Sequence, residues 1–302
     1  MATSAPFRFP GSTAVLTGAA SGIGEQLARA LAGRGTHLVL LDRDAEGLAA
    51  VAAAIRAGHP GLAVSTVPVD LSDLGALPGV VEGILAEHPR IDLLVNNAGV
   101  GLGGRFEQVS AEEFDWLMDV NLRAPVVLTR LLLPALLRAP GGHLVNLSSL
   151  FGLIAPPGQV AYATSKFALR GFSEALRHEL AGRVGVTVVH PGGIRTGIAR
   201  SSRTAAAVPE EEARAGLAAF EGLLSYPPER AAAEILGAVE RRRGRLLIAP
   251  SAVLPDVLAR LFPASYWPVL QAAHPVLRRL PARRRPRRGL VPGGRRSVGW
   301  RA

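Results

Sequence analysis

Short apolar runs alternate with longer segments of helical periodicity along most of this chain. Each run is continuous in its apolar character, which is typical of strands buried on both faces of a parallel sheet. The runs predict strands at residues 13–17, 37–41, 64–69, 93–95, 144–147, 186–189 and 246–248. Helices are predicted between them, at residues 23–33, 45–57, 74–87, 111–137, 160–181 and 228–242. The pattern therefore indicates an α/β fold of three layers, a parallel sheet with helices on both faces.

The regular alternation stops in two segments. Residues 195–226 carry no strand signal, and we expect short helices there that cover a pocket. Residues 251–280 predict one or two amphipathic helices, whereas Arg, Pro and Gly dominate residues 281–302, which we expect to be disordered. We therefore divide the chain into one main domain at residues 1–250, a helical C-terminal extension at 251–280 and a tail at 281–302.

Composition narrows the function classes. The 302 residues include no cysteine, which excludes disulfides and thiolate chemistry and favours the cytoplasm. The seven histidines are scattered, so no metal site is expected. The net charge of +10 comes from ten arginines after residue 277, and the remaining basic residues equal the 24 acidic ones in number. Because the body is neutral, nucleic acid is not expected as a partner.

Two apolar regions bear on membrane association. Residues 1–11 lack the apolar core of a signal peptide, and the run at 261–277 is too short and too rich in proline to span a bilayer. No membrane span is therefore expected. Tyr266 and Trp267 lie in the second run, ahead of the arginine-rich end, and leave open a peripheral contact with a membrane. We favour instead a helix that docks on the body or on a partner subunit.

A glycine-rich turn follows the first predicted strand and opens the first predicted helix. Residues 17–24 read Thr-Gly-Ala-Ala-Ser-Gly-Ile-Gly, and glycines there let the backbone approach a pyrophosphate at the helix N-terminus. We therefore expect a bound dinucleotide. Asp42, at the end of the second strand, can accept both hydroxyls of an adenine ribose and favours NAD, whereas Arg43 can hold the 2′-phosphate of NADP or lie in solvent. Asp70 either caps the adenine pocket or forms a turn.

Tyr162 and Lys166 are four residues apart on one face of a predicted helix. A phenol with a pKa of about 10 is a poor base at neutral pH, and a nearby ammonium lowers that pKa. The pair can then move a proton to or from an alcohol or ketone oxygen. Lys166 is the only lysine beside 33 arginines, which is expected where a planar guanidinium cannot replace a compact ammonium.

Six motifs occur in one order along the chain: the turn at residues 17–24, Asn96-Asn97-Ala98-Gly99, Asn121, Ser149, Tyr162-x-x-x-Lys166 and Pro191-Gly192-x-x-x-Thr196. The set resembles the short-chain dehydrogenase/reductase (SDR) family over residues 10–250, with no mismatch at a catalytic position. The resemblance implies a Rossmann fold, that is, a doubly wound parallel sheet, and an NAD(P)-dependent oxidoreductase that forms a homodimer or homotetramer. The implied catalytic set is Asn121, Ser149, Tyr162 and Lys166.

The resemblance also implies a role for individual residues. Ser149 would hydrogen bond the substrate oxygen, with Ser148 structural unless the two exchange roles. Lys166 would hold the nicotinamide ribose, and Asn121 would position a water unless it only bends its helix. Ile194 and Thr196 would fix the nicotinamide carboxamide. The residues implied to bind the cofactor are Thr17, Gly18, Ser21, Gly22, Ile23, Gly24, Asp42, Arg43, Asp70, Leu71, Asn97, Ala98, Gly99, Tyr162, Lys166, Pro191, Gly192, Ile194 and Thr196.

The leading hypothesis is the interconversion of a secondary alcohol and a ketone by hydride transfer. Apolar residues between Ser149 and Tyr162 favour an apolar substrate where they line the pocket, and otherwise only pack. Arg195, Arg200 and Arg203 would attract an anionic group or face solvent, and we favour solvent. The alternatives are a dehydratase or epimerase of the same family and a dinucleotide-binding sensor without turnover. A pure binding protein needs no phenol–amine pair, so the sensor is less favoured.

Overall fold

The computed structural model describes residues 5–273, apart from the side chains of residues 199 and 200. Its central sheet contains seven parallel strands, β1 (Thr13–Thr17), β2 (His37–Asp42), β3 (Val64–Pro68), β4 (Leu93–Asn96), β6 (His143–Leu147), β7 (Gly185–Pro191) and β9 (Arg245–Ile248). Their spatial order is β3-β2-β1-β4-β6-β7-β9. Every predicted strand is present, and the predicted doubly wound Rossmann-type sheet is confirmed.

Helices cover both faces of the sheet. On one face lie α1 (Gly22–Ala32), α2 (Ala45–Gly58) and α9 (Pro228–Glu240), and on the other α3 (Leu77–Glu87), α5 (Ala124–Arg138) and α6 (Val160–Glu179). Val15 and Leu16 are neighbours in β1 but belong to the two opposite cores. Successive strand side chains point to opposite faces, so a sheet covered on both sides favours apolar residues at successive positions of its strands. This is why the strand segments are continuously apolar.

The predicted helix at 111–137 is present as one continuous helix with an internal irregularity. It consists of α4 (Ala111–Met118), a π-helical turn (Asp119–Arg123) and α5. Such turns insert an extra residue and often occur at functional sites. By length and hydropathy alone this helix could cross a bilayer, but half of its most apolar window is buried inside the fold. Its apolar character is therefore that of a core helix.

The segment between β7 and α9 differs from the prediction in one respect. It contains the expected short helices, α7 (Ile198–Ser201) and α8 (Glu210–Glu221), but also a two-residue strand, β8 (Arg203–Thr204). β8 pairs in parallel with β5 (Leu102–Gly103), which lies in the loop after β4. The expectation that this segment has no strand is wrong, because two residues are too few to produce a periodic side-chain pattern. The pairing fastens the segment to the loop after β4.

Two C-terminal helices follow β9, as the sequence predicts. They are α10 (Pro250–Leu261) and α11 (Tyr266–Ala273). Asp256 anchors α10, because its carboxylate accepts hydrogen bonds from Arg245 at 2.6 Å and Arg260 at 3.2 Å. The predicted disorder of residues 281–302 lies outside the described residues, and the division of the chain at residues 250 and 280 stays a prediction.

Candidate active site

The carboxyl ends of β1 and β4 form a crevice at the centre of the sheet. The chain order reverses between these neighbouring strands, since β2 and β3 extend to one side and β6, β7 and β9 to the other. Ligands of open α/β sheets bind in the crevice at such a point. The glycine-rich turn at residues 17–24, the loop after β4 and the loop after β6 all start from this edge.

Glycine is required at three positions of the turn between β1 and α1. Gly18 and Gly22 have φ angles of +66° and +58°, which side chains rarely allow. A Cβ at Gly24 would overlap the Gly18 carbonyl oxygen and lie 2.6 Å from Asn97 Nδ2. The backbone therefore presents itself without side chains at the start of α1, where Ser21 is exposed and makes no side-chain cap bond. This bare cradle at a helix N-terminus fits a pyrophosphate group.

Thr17 and Asn97 hold the turn in place. Thr17 Oγ1 accepts hydrogen bonds from the backbone amides of Asn97 at 3.1 Å and Ala98 at 3.0 Å. Asn97 Nδ2 donates to the carbonyl oxygens of Thr17 at 2.9 Å and Gly18 at 3.0 Å. The two side chains thus join the end of β4 to the turn. Gly99 follows them in the loop, and a Cβ there would lie 3.0 Å from Lys166 Nζ.

Asp42 lies at the end of β2 with its carboxylate turned to the glycine-rich turn. One oxygen accepts from Ala20 N at 3.0 Å and the other from Asp44 N at 3.1 Å. Arg43 beside it is exposed. The carboxylate is therefore held by the backbone at the carboxyl edge of the sheet while its side chain remains partly open to solvent.

Asp70 and Leu71 follow β3 at the same edge. Asp70 is exposed and accepts hydrogen bonds from Ser72 N at 2.9 Å and Ser72 Oγ at 2.8 Å, as a turn aspartate does. These bonds lower the pKa of its carboxyl group, and the nearby charge of Arg43 adds to the effect. Leu71 is buried in the core beneath. The geometry supports the turn interpretation of Asp70, with Arg43 close to its carboxylate.

Ser149 and Tyr162 come together at the carboxyl end of β6. Ser149 begins the short helical turn Leu150–Gly152, and Tyr162 lies in the first turn of α6. The Ser149 hydroxyl accepts a hydrogen bond from Phe151 N at 3.1 Å and lies beside the phenol of Tyr162, whose pKa it lowers. Ser148 points elsewhere, since its buried Oγ donates to the carbonyl oxygen of Lys166 at 2.8 Å. Of the two neighbouring serines, Ser149 is thus the one that faces the phenol.

Lys166 is 3% exposed and lies one helical turn beyond Tyr162. Its Nζ donates to the carbonyl oxygen of Leu147 at 3.0 Å and lies 5.7 Å from the centre of the Tyr162 ring. Burial lowers the pKa of Lys166 to about 8. The pKa of Tyr162 is raised by burial, against the lowering by Ser149. The expectation that the ammonium lowers this pKa is therefore wrong here, because desolvation of the phenol outweighs the neighbouring groups.

Asn121 lies in the π-helical turn and is fully buried. Its Oδ1 accepts from Val100 N at 2.8 Å, and its Nδ2 donates to Val100 O at 2.9 Å and Ser165 Oγ at 3.1 Å. A Cβ on Gly99 would lie 3.2 Å from Asn121 Oδ1 and 3.0 Å from Lys166 Nζ. The asparagine side chain thus connects the loop after β4 to α6 beside Lys166.

The loop after β7 forms a further wall of the crevice. Pro191 ends β7, and Gly192 N donates to the carbonyl oxygen of Ile248 at 3.0 Å. Ile194 is buried, and Thr196 contacts the glycine-rich turn, since a Cβ on Gly22 would lie 3.2 Å from the Thr196 Cβ. The turn, the Ser149–Tyr162–Lys166 group and this loop therefore surround one crevice.

The family profile of short chain dehydrogenases matches residues 12–207. Of the residues described above for the crevice, only Ile248 lies outside this range. The chain belongs to the short-chain dehydrogenase/reductase family. It is therefore an NAD(P)-dependent oxidoreductase, and its fold and its enzyme class agree with the expectations from the sequence.

Several relatives of this SDR enzyme have similar chains. SadH of Mycobacterium tuberculosis, named as an oxidoreductase, is 38% identical over 269 residues, which cover 87% of this chain and 95% of SadH. Dehydrogenase/reductase SDR family member 7B of Bos taurus is 34% identical over 84% of this chain and 78% of its own.

Solved structures of SDR enzymes share the fold of this chain. An SDR from Burkholderia phymatum in complex with NAD has a TM-score of 0.77 and 30% identity, and the match covers 84% of this chain and 95% of that one. A metagenomic SDR in complex with NADP has a TM-score of 0.66 and 33% identity over 81% and 99% of the two chains. Both nicotinamide cofactors therefore occur among its structural neighbours.

Two further residues contact the site of this SDR enzyme and were not predicted. His190 is buried, its Nδ1 hydrogen bonds with the carbonyl oxygen of Ser149 at 3.1 Å, and burial lowers its pKa to about 4. Tyr266 on α11 accepts a hydrogen bond from Ala155 N at 2.8 Å. The position of His190 directly before Pro191 could have suggested a contact with the site. No sequence signal connects Tyr266 to a residue 111 positions away.

Proposed function

We propose that this SDR enzyme interconverts a secondary alcohol and a ketone, with NAD preferred to NADP. Ser149, Tyr162, Lys166 and Asn121 form the proposed catalytic group. The observation that carries the proposal is the placement of the Ser149 hydroxyl beside the Tyr162 phenol at the carboxyl edge of the sheet, with a buried lysine one helical turn away. This edge is shared with the glycine-rich cradle that fits the cofactor.

The residues of the chain have separable tasks in this reaction. A bound nicotinamide dinucleotide supplies the hydride donor or acceptor. Tyr162 gives a proton to the ketone oxygen, or takes it from the alcohol, at its phenol oxygen. Ser149 donates a hydrogen bond to the same substrate oxygen and stabilises the charge that develops there. Lys166 keeps a positive charge beside the phenol below a pH of about 8, and Asn121 fixes the loop and helix that border it.

The buried lysine argues against the sensor alternative, whereas the dehydratase and epimerase alternatives are less favoured because no observation points to them specifically. Burying an ammonium disfavours its charged form, and the lowered pKa of Lys166 reflects this cost. A protein that only binds a dinucleotide has no use for such a group next to a phenol. We therefore favour turnover, with proton transfer at Tyr162, over binding alone.

The two neighbouring serines provide the experiment that tests the proposed reaction. Ser149→Ala should lower kcat about 10²–10³-fold on an active alcohol or ketone, since it removes a hydrogen-bond donor to the reacting oxygen. Ser148→Ala should cost about 1 kcal/mol of stability and leave kcat within a few-fold of the wild type, because its hydroxyl serves a buried backbone carbonyl. Steady-state kinetics with a panel of secondary alcohols and ketones measures both. Equal losses in the two variants would contradict the assignment of Ser149.

The preference for NAD is proposed from the position of Asp42. Its carboxylate is oriented by two backbone amides at the end of β2, where an adenine ribose lies in this kind of fold. A fixed negative charge there accepts the ribose hydroxyls and repels a 2′-phosphate. Arg43 is exposed and close to the Asp70 carboxylate. Its guanidinium is therefore less available to bind a 2′-phosphate.

Asp42→Asn is expected to reduce the preference for NAD about 10–100-fold, because a hydrogen bond to a charged acceptor contributes about 1.5–3 kcal/mol. The measurement is the ratio of kcat/KM with NAD to kcat/KM with NADP. Asp44→Asn serves as the control, since it removes a charge two residues away while asparagine still caps α2 through Gly47 N. An unchanged ratio in Asp42→Asn would refute the assignment.

The proposed substrate is apolar near its reacting carbon. Phe151 meets the Tyr162 ring edge-on at 6.0 Å and is partly exposed, so it lies beside the proton donor. Leu153 and Ile154 are buried and only pack. Arg203 is exposed, as expected, and its guanidinium also stacks on Trp116, 3.7 Å from the ring centre.

We further propose that the enzyme is a cytoplasmic homodimer or homotetramer. α5, α6 and the π-helical turn expose a mostly apolar depression lined by Leu122, Val126, Val127, Ala168 and Phe172, with Arg123 also in its lining. Such a surface on two long helices is suited to pairing with a second copy. The absence of cysteine from the sequence supports a reducing compartment. Light scattering of the purified enzyme measures its assembly.

A further inference from the structure

The C-terminal helices expose an unusual concentration of apolar side chains. Of the eleven large apolar residues exposed among those described, six lie within residues 253–269, and each is 44–66% exposed. They are Val253, Leu254, Val257, Leu261, Phe262 and Val269. The other five are spread over the remaining surface, as is normal for a globular protein. So many exposed apolar side chains in one region indicate a surface that a partner molecule or a lipid phase covers.

Four of these side chains form a single stripe along α10. At 100° per residue, Val253, Leu254, Val257 and Leu261 fall within an arc of about 100°. The opposite face is held against the body, since Ala252 is buried and Asp256 is bound by Arg245 and Arg260. This ion-pair anchor fixes the rotation of the helix. The apolar stripe therefore faces away from the body. We name Val253, Leu254, Val257 and Leu261 the α10 stripe.

From Val257 onward the sequence carries only positive charge. After Asp256 no acidic residue occurs, and residues 257–302 contain eleven arginines. Asp256 itself is buried and paired. An apolar stripe followed along the chain by an arginine-rich segment without acidic residues matches the boundary of a membrane with anionic lipids, where apolar groups enter the acyl region and cations contact the headgroups. Trp267, partly exposed on α11, is a residue type enriched at that boundary.

We propose that α10 and α11 dock this enzyme on anionic lipid membranes, with the α10 stripe inserted and the arginine-rich C-terminal segment on the headgroups. A nucleic acid would bind the arginines but offers nothing to the stripe. A second copy of the chain would cover the stripe but would bring two arginine-rich segments together, which opposes association. Lipid is the partner that satisfies both features.

Docking would bring the loop between Ser149 and Tyr162, which borders the proposed substrate pocket, close to the membrane. α10 packs against the turn Leu150–Gly152 that follows Ser149, and Tyr266 on α11 holds the backbone of Ala155. Both contacts lie in the loop between Ser149 and Tyr162. A substrate dissolved in the bilayer would therefore reach the crevice over a short distance. This consequence rests on the proposed function, whereas the docking itself does not.

Vesicle flotation of the full-length enzyme tests the docking without any activity readout. The wild type should float with phosphatidylcholine vesicles that contain phosphatidylglycerol, and not with phosphatidylcholine alone. At about 1 M salt, where the Debye length is about 3 Å, binding should weaken. Replacing Leu254 and Leu261 together by serine should reduce binding at least about tenfold. Replacing Arg283, Arg284, Arg285, Arg287 and Arg288 together by glutamine should reduce it at least about hundredfold.

The matched control removes two exposed apolar side chains from elsewhere on the surface. Phe106→Ser combined with Leu217→Ser should float within about twofold of the wild type, since single exposed apolar residues are not a lipid-binding surface. The following results would overturn the proposal. They are a wild type that does not float, a stripe variant that floats as well as the wild type, and a stripe variant whose only change is a smaller assembly in light scattering. Preference of the arginines for a DNA duplex over the vesicles would overturn it too.

Discussion

Replacing Tyr162 by phenylalanine is expected to lower kcat about 10²–10⁴-fold while NAD binding persists. The variant keeps the ring that packs edge-on against Phe151 but loses the group that transfers the proton. Positioned proton transfer contributes about 10²–10⁴-fold to a rate, which corresponds to about 3–5 kcal/mol of transition-state stabilisation. The loss should appear in kcat on every active substrate. Nicotinamide absorbance measures turnover, and calorimetric titration measures cofactor binding.

A second tyrosine provides the control for this prediction. Tyr226 has its hydroxyl hydrogen bonded to Glu234 on α9, so Tyr226→Phe should keep kcat within a few-fold of the wild type. Wild-type turnover in Tyr162→Phe would contradict proton transfer at this residue. Cofactor binding without turnover in the wild type, across all substrates tried, would instead favour the sensor hypothesis.

The sheet and its helices could be predicted from the sequence because burial on both faces leaves a strong pattern. β1 places Val15 in one core and Leu16 in the other, so the middle of the strand is apolar at successive positions. The predicted ends of the helices agree with the observed ends to within a few residues. The pairing of β5 with β8 could not be predicted, since two residues held by backbone hydrogen bonds show no preference for a side-chain type.

The site could be located from spacing, but its electrostatics could not. Tyr162 and Lys166 must share a helix face because they are four residues apart. The direction of the Lys166 side chain depends on the carbonyl oxygen of Leu147, which a parallel strand brings beneath α6 from nineteen residues away. The contacts of His190 and Tyr266 with the Ser149 loop arise from strand order and from the C-terminal helices. Such tertiary contacts decide the pKa values, and local sequence does not encode them.

Gly24→Ala is expected to weaken cofactor binding at least about hundredfold and to destabilise the fold. The added methyl group would overlap the Gly18 carbonyl oxygen and lie 2.7 Å from its carbon, and both are backbone atoms. Asn97 Nδ2 holds that carbonyl oxygen at 3.0 Å and would itself be 2.6 Å from the methyl group. Neither neighbour can rotate away, so the turn must open and the cradle for the pyrophosphate is lost. Overpacking of this kind costs about 1–3 kcal/mol of folding free energy.

The control for this prediction is a glycine with free space around it. A Cβ at Gly83, in the interior of α3, would meet no atom within 4 Å. Gly83→Ala should therefore stabilise the enzyme by about 0.5–1 kcal/mol, since alanine loses less conformational freedom in a helix, and should leave the Kd for NAD unchanged. Urea unfolding and calorimetric titration of both variants separate the two effects. If Gly24→Ala binds NAD as tightly as the wild type, the backbone of the turn does not form the cofactor cradle, and the proposed site must lie elsewhere along the carboxyl edge of the sheet.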